Sequence, residues 1–106
     1  MSLSAQILDP ALLTKPDGSV WATYYGDYSG RRYSSLAQIN RDNVASLALA
    51  WTFRTGPVTA PTFEGLAPRA APVTSVPLQI GGTLYFTLSD HVWAIDARTG
   101  RQIWHF

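Results

Sequence analysis

No cysteine occurs in this sequence, which excludes a disulfide framework and any thiolate metal site and leaves the redox compartment open. Charge is also scarce: 14% of residues are Asp, Glu, Lys or Arg, and eight basic against seven acidic side chains give a net charge of +1. They are spread along the chain, so there is neither a basic patch for nucleic acid nor an acidic tract. No apolar run reaches membrane-spanning length, and residues 1–10 lack a basic stretch leading into a long apolar one, so neither a membrane span nor a signal peptide is expected within the chain. No spacing suggests a Ser-His-Asp or Cys-His nucleophile, and no glycine-rich phosphate loop precedes a helix. His91 and His105 fall on different expected strands without a third ligand, so no metal site is expected. Glu64 is the only glutamate, and it lies in a proline-rich connection. The residues offer no catalytic group of their own.

What is present is apolar and punctuated by turns. Hydrophobic residues make up 46% of the 106-residue chain, enough for one domain that folds or associates. Residues 1–46 read as an N-terminal lead-in of loops and short helical turns. Asp9-Pro10 precedes a short helical stretch that Asp9 can cap, and residues 15–18 read as a turn. The aromatic, glycine-rich stretch 21–33 reads as an ordered loop in which Asp27 can pair with the adjacent Arg31-Arg32. Asn40 is a candidate cap for a second helical turn.

Residues 47–106 read as an outer strand followed by a four-stranded sheet. Leu47, Leu49, Trp51 and Phe53 alternate as one face of a strand over residues 47–53. Residues 55–72 hold too many prolines and glycines for a regular element. Four candidate strands follow: 73–80, weakened by Pro77; 83–88 after Gly81-Gly82; 91–96 after Ser89-Asp90; and 101–106. Short turns make these an antiparallel meander. Leu84, Phe86 and Leu88 share one face with Tyr85 on the other, and Trp93 and Ile95 oppose Val92 and Ala94. A sheet apolar on both sides has to be covered on both sides. The last hairpin, Ala94-Ile-Asp96-Ala-Arg-Thr99-Gly100-Arg-Gln-Ile-Trp104, sets an aspartate to accept backbone N–H groups, a glycine for positive φ, and a tryptophan on the returning strand. Trp51-Thr52-Phe53 returns as Trp104-His105-Phe106 after 53 residues, a separation close to that of propeller blades.

These residues carry a resemblance. The stretch from Trp21 through Gly26-Asp27, Gly30-Arg31-Arg32-Tyr33 and Gln38-Ile39-Asn40 to Asn43-Val44, leading into Leu49-Ala50-Trp51-Thr52-Phe53, is similar to the N-terminal part of the pyrroloquinoline-quinone (PQQ)-dependent alcohol dehydrogenases. Val76-Pro77-Leu78, Leu84-Tyr85-Phe86 and the Ala94-x-Asp96-x-x-Thr99-Gly100-x-x-x-Trp104 signature resemble the family's first propeller blade with its tryptophan-docking motif. The resemblance implies an all-β fold, the N-terminal part of an eight-bladed β-propeller, in a periplasmic enzyme that oxidises an alcohol or sugar with PQQ and calcium or a lanthanide. It places the catalytic aspartate and metal ligands beyond Phe106. It also places one cofactor contact, a glutamate in the family, at Thr74, where a neutral hydroxyl supplies no carboxylate charge. The expected partners are the remaining blades or, for a chain ending at Phe106, copies of itself. A non-enzymatic propeller module that binds no quinone and a free-standing small β-sandwich are the alternatives.

Overall fold

The computed structural model describes residues 8–56 and 72–106. Most of the proline-rich connection, with Glu64, lies outside the described residues. Four strands form one antiparallel sheet in the order β1-β2-β3-β4: β1 (Leu78–Ile80), β2 (Thr83–Leu88), β3 (His91–Asp96) and β4 (Gln102–His105). Gly81 and Gly82 close the first hairpin at φ of 55° and 78°, the double positive φ of a primed turn, which side chains resist. The second and third strands match their expected bounds. The first is shorter than the expected 73–80, because Pro77 has no N–H to donate and pairing begins only after it. In β4 the register shifts between Ala94 and Ile95, whose partners are Trp104 and Gln102, so Ile103 is the extra residue of a bulge.

The expected strand over 47–53 is corrected by the structure. The segment is not a strand and joins no ladder among the described residues. It follows a 3-10 turn (Val44–Ser46) that Asn43 and Asn40 build together: the Asn43 side-chain oxygen accepts from the Asn40 N–H at 2.8 Å, and the Asn40 side-chain oxygen accepts from the Asp42 N–H at 3.0 Å. The segment then crosses the sheet face as a strap. Alternation correctly picks out Trp51 and Phe53 as facing the sheet, whereas Leu47 and Leu49 are exposed. Hydrophobic alternation reports which side chains seek cover, not whether the backbone has a strand to pair with.

The core lies under this strap. Leu88, Trp93 and Ile95 are buried, with Trp51, Phe53, Leu84 and Phe86 packed against them. The Phe86 and Trp93 rings stack at 5.3 Å, and Phe53 meets Phe86 edge-on at 5.9 Å. On the opposite face Ala94 is fully buried beside Tyr85 and Trp104, whose rings lie 6.0 Å apart. The rest of that face opens into a groove of about 470 Å³ lined by Tyr24, Val76, Leu78, Tyr85 and Val92, among others.

The lead-in segment is tied to the free edge of β1. Trp21 and Gln79 exchange two backbone hydrogen bonds of 2.8 Å, an isolated antiparallel bridge that continues the sheet by one residue. Its helical turn, α1 (Ala11–Thr14), starts as expected, with the Asp9 carboxylate accepting from the Ala11 N–H at 2.9 Å. The aromatic stretch is ordered around buried Asp27. That carboxylate accepts from the Ser29 hydroxyl at 2.6 Å, the Ser29 and Gly30 N–H groups, and the Arg31 guanidinium at 2.9 Å. The Ser29 hydroxyl and then Arg31 hold its pKa down, from 3.8 to about 2. Arg32 instead lies over the Tyr25 ring, 4.5 Å from its centroid.

Two predictions follow from these contacts. Trp93→Ala removes the most buried large side chain and should destabilise the chain by about 3–5 kcal/mol in urea unfolding, with a stability loss below about 1 kcal/mol contradicting the core assignment. Because folding lowers the Asp27 pKa, the stabilisation it provides is complete above the ordinary carboxylate value and is lost as the pH falls toward about 2. Protection factors of the Ser29 and Gly30 amides should therefore fall over that acid interval, and Asp27→Asn should remove the dependence.

Candidate functional site

The feature most clearly built for recognition is the hairpin between β3 and β4. Asp96 ends β3, and its carboxylate Oδ1 accepts from the Arg98 N–H at 2.9 Å, the Thr99 N–H at 2.9 Å and the Thr99 hydroxyl at 3.0 Å. These bonds, those to Thr99 foremost, lower the Asp96 pKa below its ordinary value. The backbone closes around them: Gly100 N–H donates to the Asp96 carbonyl at 2.9 Å, and Asp96 N–H donates to the Arg101 carbonyl at 2.8 Å. The loop is thereby a rigid platform, as an aspartate with four following residues ending in glycine suggests.

Trp51 sits on that platform. Gly100 has φ of +70°, and a Cβ placed there would come within 2.5 Å of the Trp51 ring, so the indole lies directly against the glycine backbone. The indole Nε1–H donates to the Ala97 carbonyl at 3.2 Å, which fixes the ring's orientation as well as its depth. Position 100 thus combines a left-handed conformation with a close approach, and both demand glycine. Trp104, the tryptophan of the hairpin's own returning strand, points to the other face, where it is 38% exposed beside Tyr85. The two tryptophans related by the 53-residue echo therefore serve opposite faces of one sheet.

Thr74 is exposed, on the irregular stretch before β1. Its neighbour Ser75 is the more engaged residue: the Ser75 hydroxyl donates to the Thr87 carbonyl at 2.7 Å and accepts from the Thr87 N–H at 3.2 Å, extending the sheet edge beyond Pro77 through a side chain. Nothing in the local sequence marks Ser75 for this role. The histidines, on different strands as expected, come together, with His91 Nδ1 and His105 Nε2 2.9 Å from one another. Counting back along both strands from the Asp96 hairpin, with one residue allowed for the bulge, would have placed them on the same face as Trp93. Among the described residues no three His, Asp or Glu side chains gather in a metal-holding group, and no helix is long and apolar enough to cross a membrane.

Residues 21–106 match the family described as PQQ: Glucose/ethanol/alcohol dehydrogenase, beta-propeller domain. The chain belongs to this family. Among curated proteins it is 35% identical over 106 residues to the quinoprotein glucose dehydrogenase of Escherichia coli, a match covering 99% of this chain and 13% of that protein. It is 41% identical over 85 residues to the quinate/shikimate dehydrogenase (quinone) of Acinetobacter baylyi, covering 79% of this chain and 10% of the relative. Among solved structures, the quinohemoprotein alcohol dehydrogenase from Comamonas testosteroni superimposes with a TM-score of 0.71 at 32% identity, over 95% of this chain and 14% of that one. The chain thus spans only about an eighth of the length of such relatives, and its sheet is a blade of the quinoprotein β-propeller. The motif-based resemblance over 21–106 and the all-β fold class both hold.

The Trp51 platform generates a coupled test. Gly100→Ala should cost about 2–4 kcal/mol in thermal or urea unfolding, since it combines a left-handed alanine with the ring clash. In a Trp51→Ala background the same substitution should cost only the backbone part, about 1–2 kcal/mol. Equal costs in the two backgrounds would show that Trp51 does not rest on Gly100.

Proposed function

We propose that this segment is the lead-in and first tryptophan-motif blade of an eight-bladed PQQ-dependent alcohol or sugar dehydrogenase, and that its contribution is structural. The observation that carries this reading is the Trp51 indole seated on the Asp96–Gly100 hairpin. It is a tryptophan-docking contact in which the strap before the blade closes one face. On the other face Trp104, Tyr85 and the groove beside them offer an equivalent apolar surface for the next blade. The remaining blades are the natural partners. In isolation, copies of the chain would associate through this same face.

In the complete enzyme the quinone and a calcium or lanthanide ion would supply the hydride-accepting chemistry. The described residues of this segment do not fit either group. Thr74, at the family's glutamate position, is exposed and offers one hydroxyl without charge. No described cluster supplies the three or more oxygen or nitrogen ligands a metal needs. No catalytic step is therefore assigned to the described residues, and Thr74 is read as a weak hydrogen-bonding contact to PQQ. The reading places the whole protein in the periplasm on the strength of the family resemblance. Thr74 also favours, as a second reading, a propeller module that binds no quinone.

A chimera separates the two. This chain would replace the matching part of the E. coli quinoprotein glucose dehydrogenase, and the product would be assayed for folding, for PQQ retention after dialysis and for glucose oxidation. The expected result is a folded enzyme that retains quinone weakly and regains retention with Thr74→Glu. A chimera that fails to assemble overturns the blade reading. A folded chimera that Thr74→Glu does not improve overturns the weak quinone contact assigned to Thr74.

A further inference from the structure

We propose that Arg32, held over the rings of Tyr24 and Tyr25, is a docking point for a carboxylate carried by the blade that covers the Tyr24 groove. This contact presupposes the blade reading and specifies the chemistry at one edge of that interface. The two adjacent arginines of the lead-in have different surroundings. Arg31 is satisfied within the chain: its Nη2 donates to the Asp27 carboxylate at 2.9 Å and its Nε to the Ser29 hydroxyl at 2.7 Å. Arg32 makes no hydrogen bond or ion pair among the described residues. Its guanidinium lies 4.5 Å from the centroid of the Tyr25 ring and 5.8 Å from that of Tyr24, and the two rings meet edge to face at 4.8 Å. The rings attract the cation as a whole, which leaves five N–H donors for an acceptor that the described residues do not supply.

The backbone favours the same reading. Arg32 is held at φ of 55°, a left-handed conformation that glycine adopts freely and a long side chain resists. An exposed cation–π contact offsets little of that cost, and strain of this kind persists where the placement of a side chain serves a site. Arg32, Tyr24 and Tyr25 are all exposed, and Tyr24 lines the groove on the uncovered face of the sheet. The unpaired cation therefore stands at the rim of an apolar surface, where polar contacts surround the centre of an interface. Charge complementarity names its partner: a carboxylate, whose two oxygens match the paired N–H edge of a guanidinium. A blade lying over Tyr24 would also exclude water from this corner, which strengthens both the ion pair and the cation–π contact.

The chain alone and the chimera with the E. coli quinoprotein glucose dehydrogenase give separate readouts. In urea unfolding of the chain alone, Arg32→Gly should keep or raise the midpoint, because it relieves the left-handed backbone and removes only an exposed contact. A lowered midpoint would show that Arg32 serves the segment's own fold, and overturns the proposal. In the chimera, whose assembly is read by size-exclusion chromatography, Arg32→Lys sets an amine at the same point. A water-soluble carbodiimide then joins that amine to a touching carboxylate as an amide, and mass spectrometry of the digest identifies both ends. The expected product links position 32 to an Asp or Glu outside the replaced stretch. An assembled chimera with no such link, or with position 32 linked only to Asp27 or Glu64, overturns the contact while leaving the blade reading in place. A chimera that does not assemble overturns the blade reading and the contact with it.

Discussion

The arrangement of this blade depends on one contact, the Trp51 indole lying flat against the backbone of Gly100. It joins two parts of the chain that no ladder of hydrogen bonds connects. The hairpin is prepared for it by Asp96, whose carboxylate gathers Arg98 and Thr99 and so fixes the loop into a surface. The strap is oriented by the indole N–H on the Ala97 carbonyl. With Trp51 in place, Phe53 is delivered onto Phe86, and Leu88, Trp93 and Ile95 lose their contact with water. Burying an indole and its neighbours stabilises by a few kcal/mol at the usual area coefficients, which is large for a sheet this small.

The second face shows what the same sheet looks like without such a strap. Ala94 is buried by its own neighbours, but Trp104 keeps more than a third of its surface exposed and the adjacent groove is lined mainly by apolar side chains. A four-stranded sheet with two apolar faces is stable only as a middle layer. Membership of the quinoprotein propeller family answers that requirement, because stacking blades around an axis covers each face with the next sheet. The lead-in segment, bridged to β1 through Trp21 and Gln79 and braced internally by Asp27, reaches the rim of this groove through Tyr24.

Most of the sheet was legible from the residues. β2 and β3 kept their expected bounds because short turn signals bracket them and every position alternates between two apolar faces. Pro77 shortened β1, and the sequence already marked it as a weakness. The failure at residues 47–53 is instructive: Trp51 and Phe53 are correctly read as facing a core, yet the backbone pairs with no described strand, and pairing depends on a neighbour that local sequence does not specify. The docking platform was legible in its parts, Asp96, Thr99 and Gly100, but not in its occupant, Trp51, which lies 49 residues earlier in the chain. The histidine pair was missed because a one-residue bulge at Ile103 sets the final register, and strand counting finds the pair only when that extra residue is allowed for. Thr74 was reached only through the family resemblance. Its exposed position carries no structural mark of a binding role.

The central claim, that the strap closes the blade by seating Trp51 on the hairpin glycine, is tested most directly by proton NMR of the chain. The account predicts strong nuclear Overhauser contacts between the Trp51 ring protons and the Gly100 Hα protons, with one of those Hα resonances shifted well upfield by the indole ring current. Gly100 Hα resonances at ordinary positions without contacts to Trp51, in a sample whose β2–β3 cross-strand contacts are intact, would contradict it.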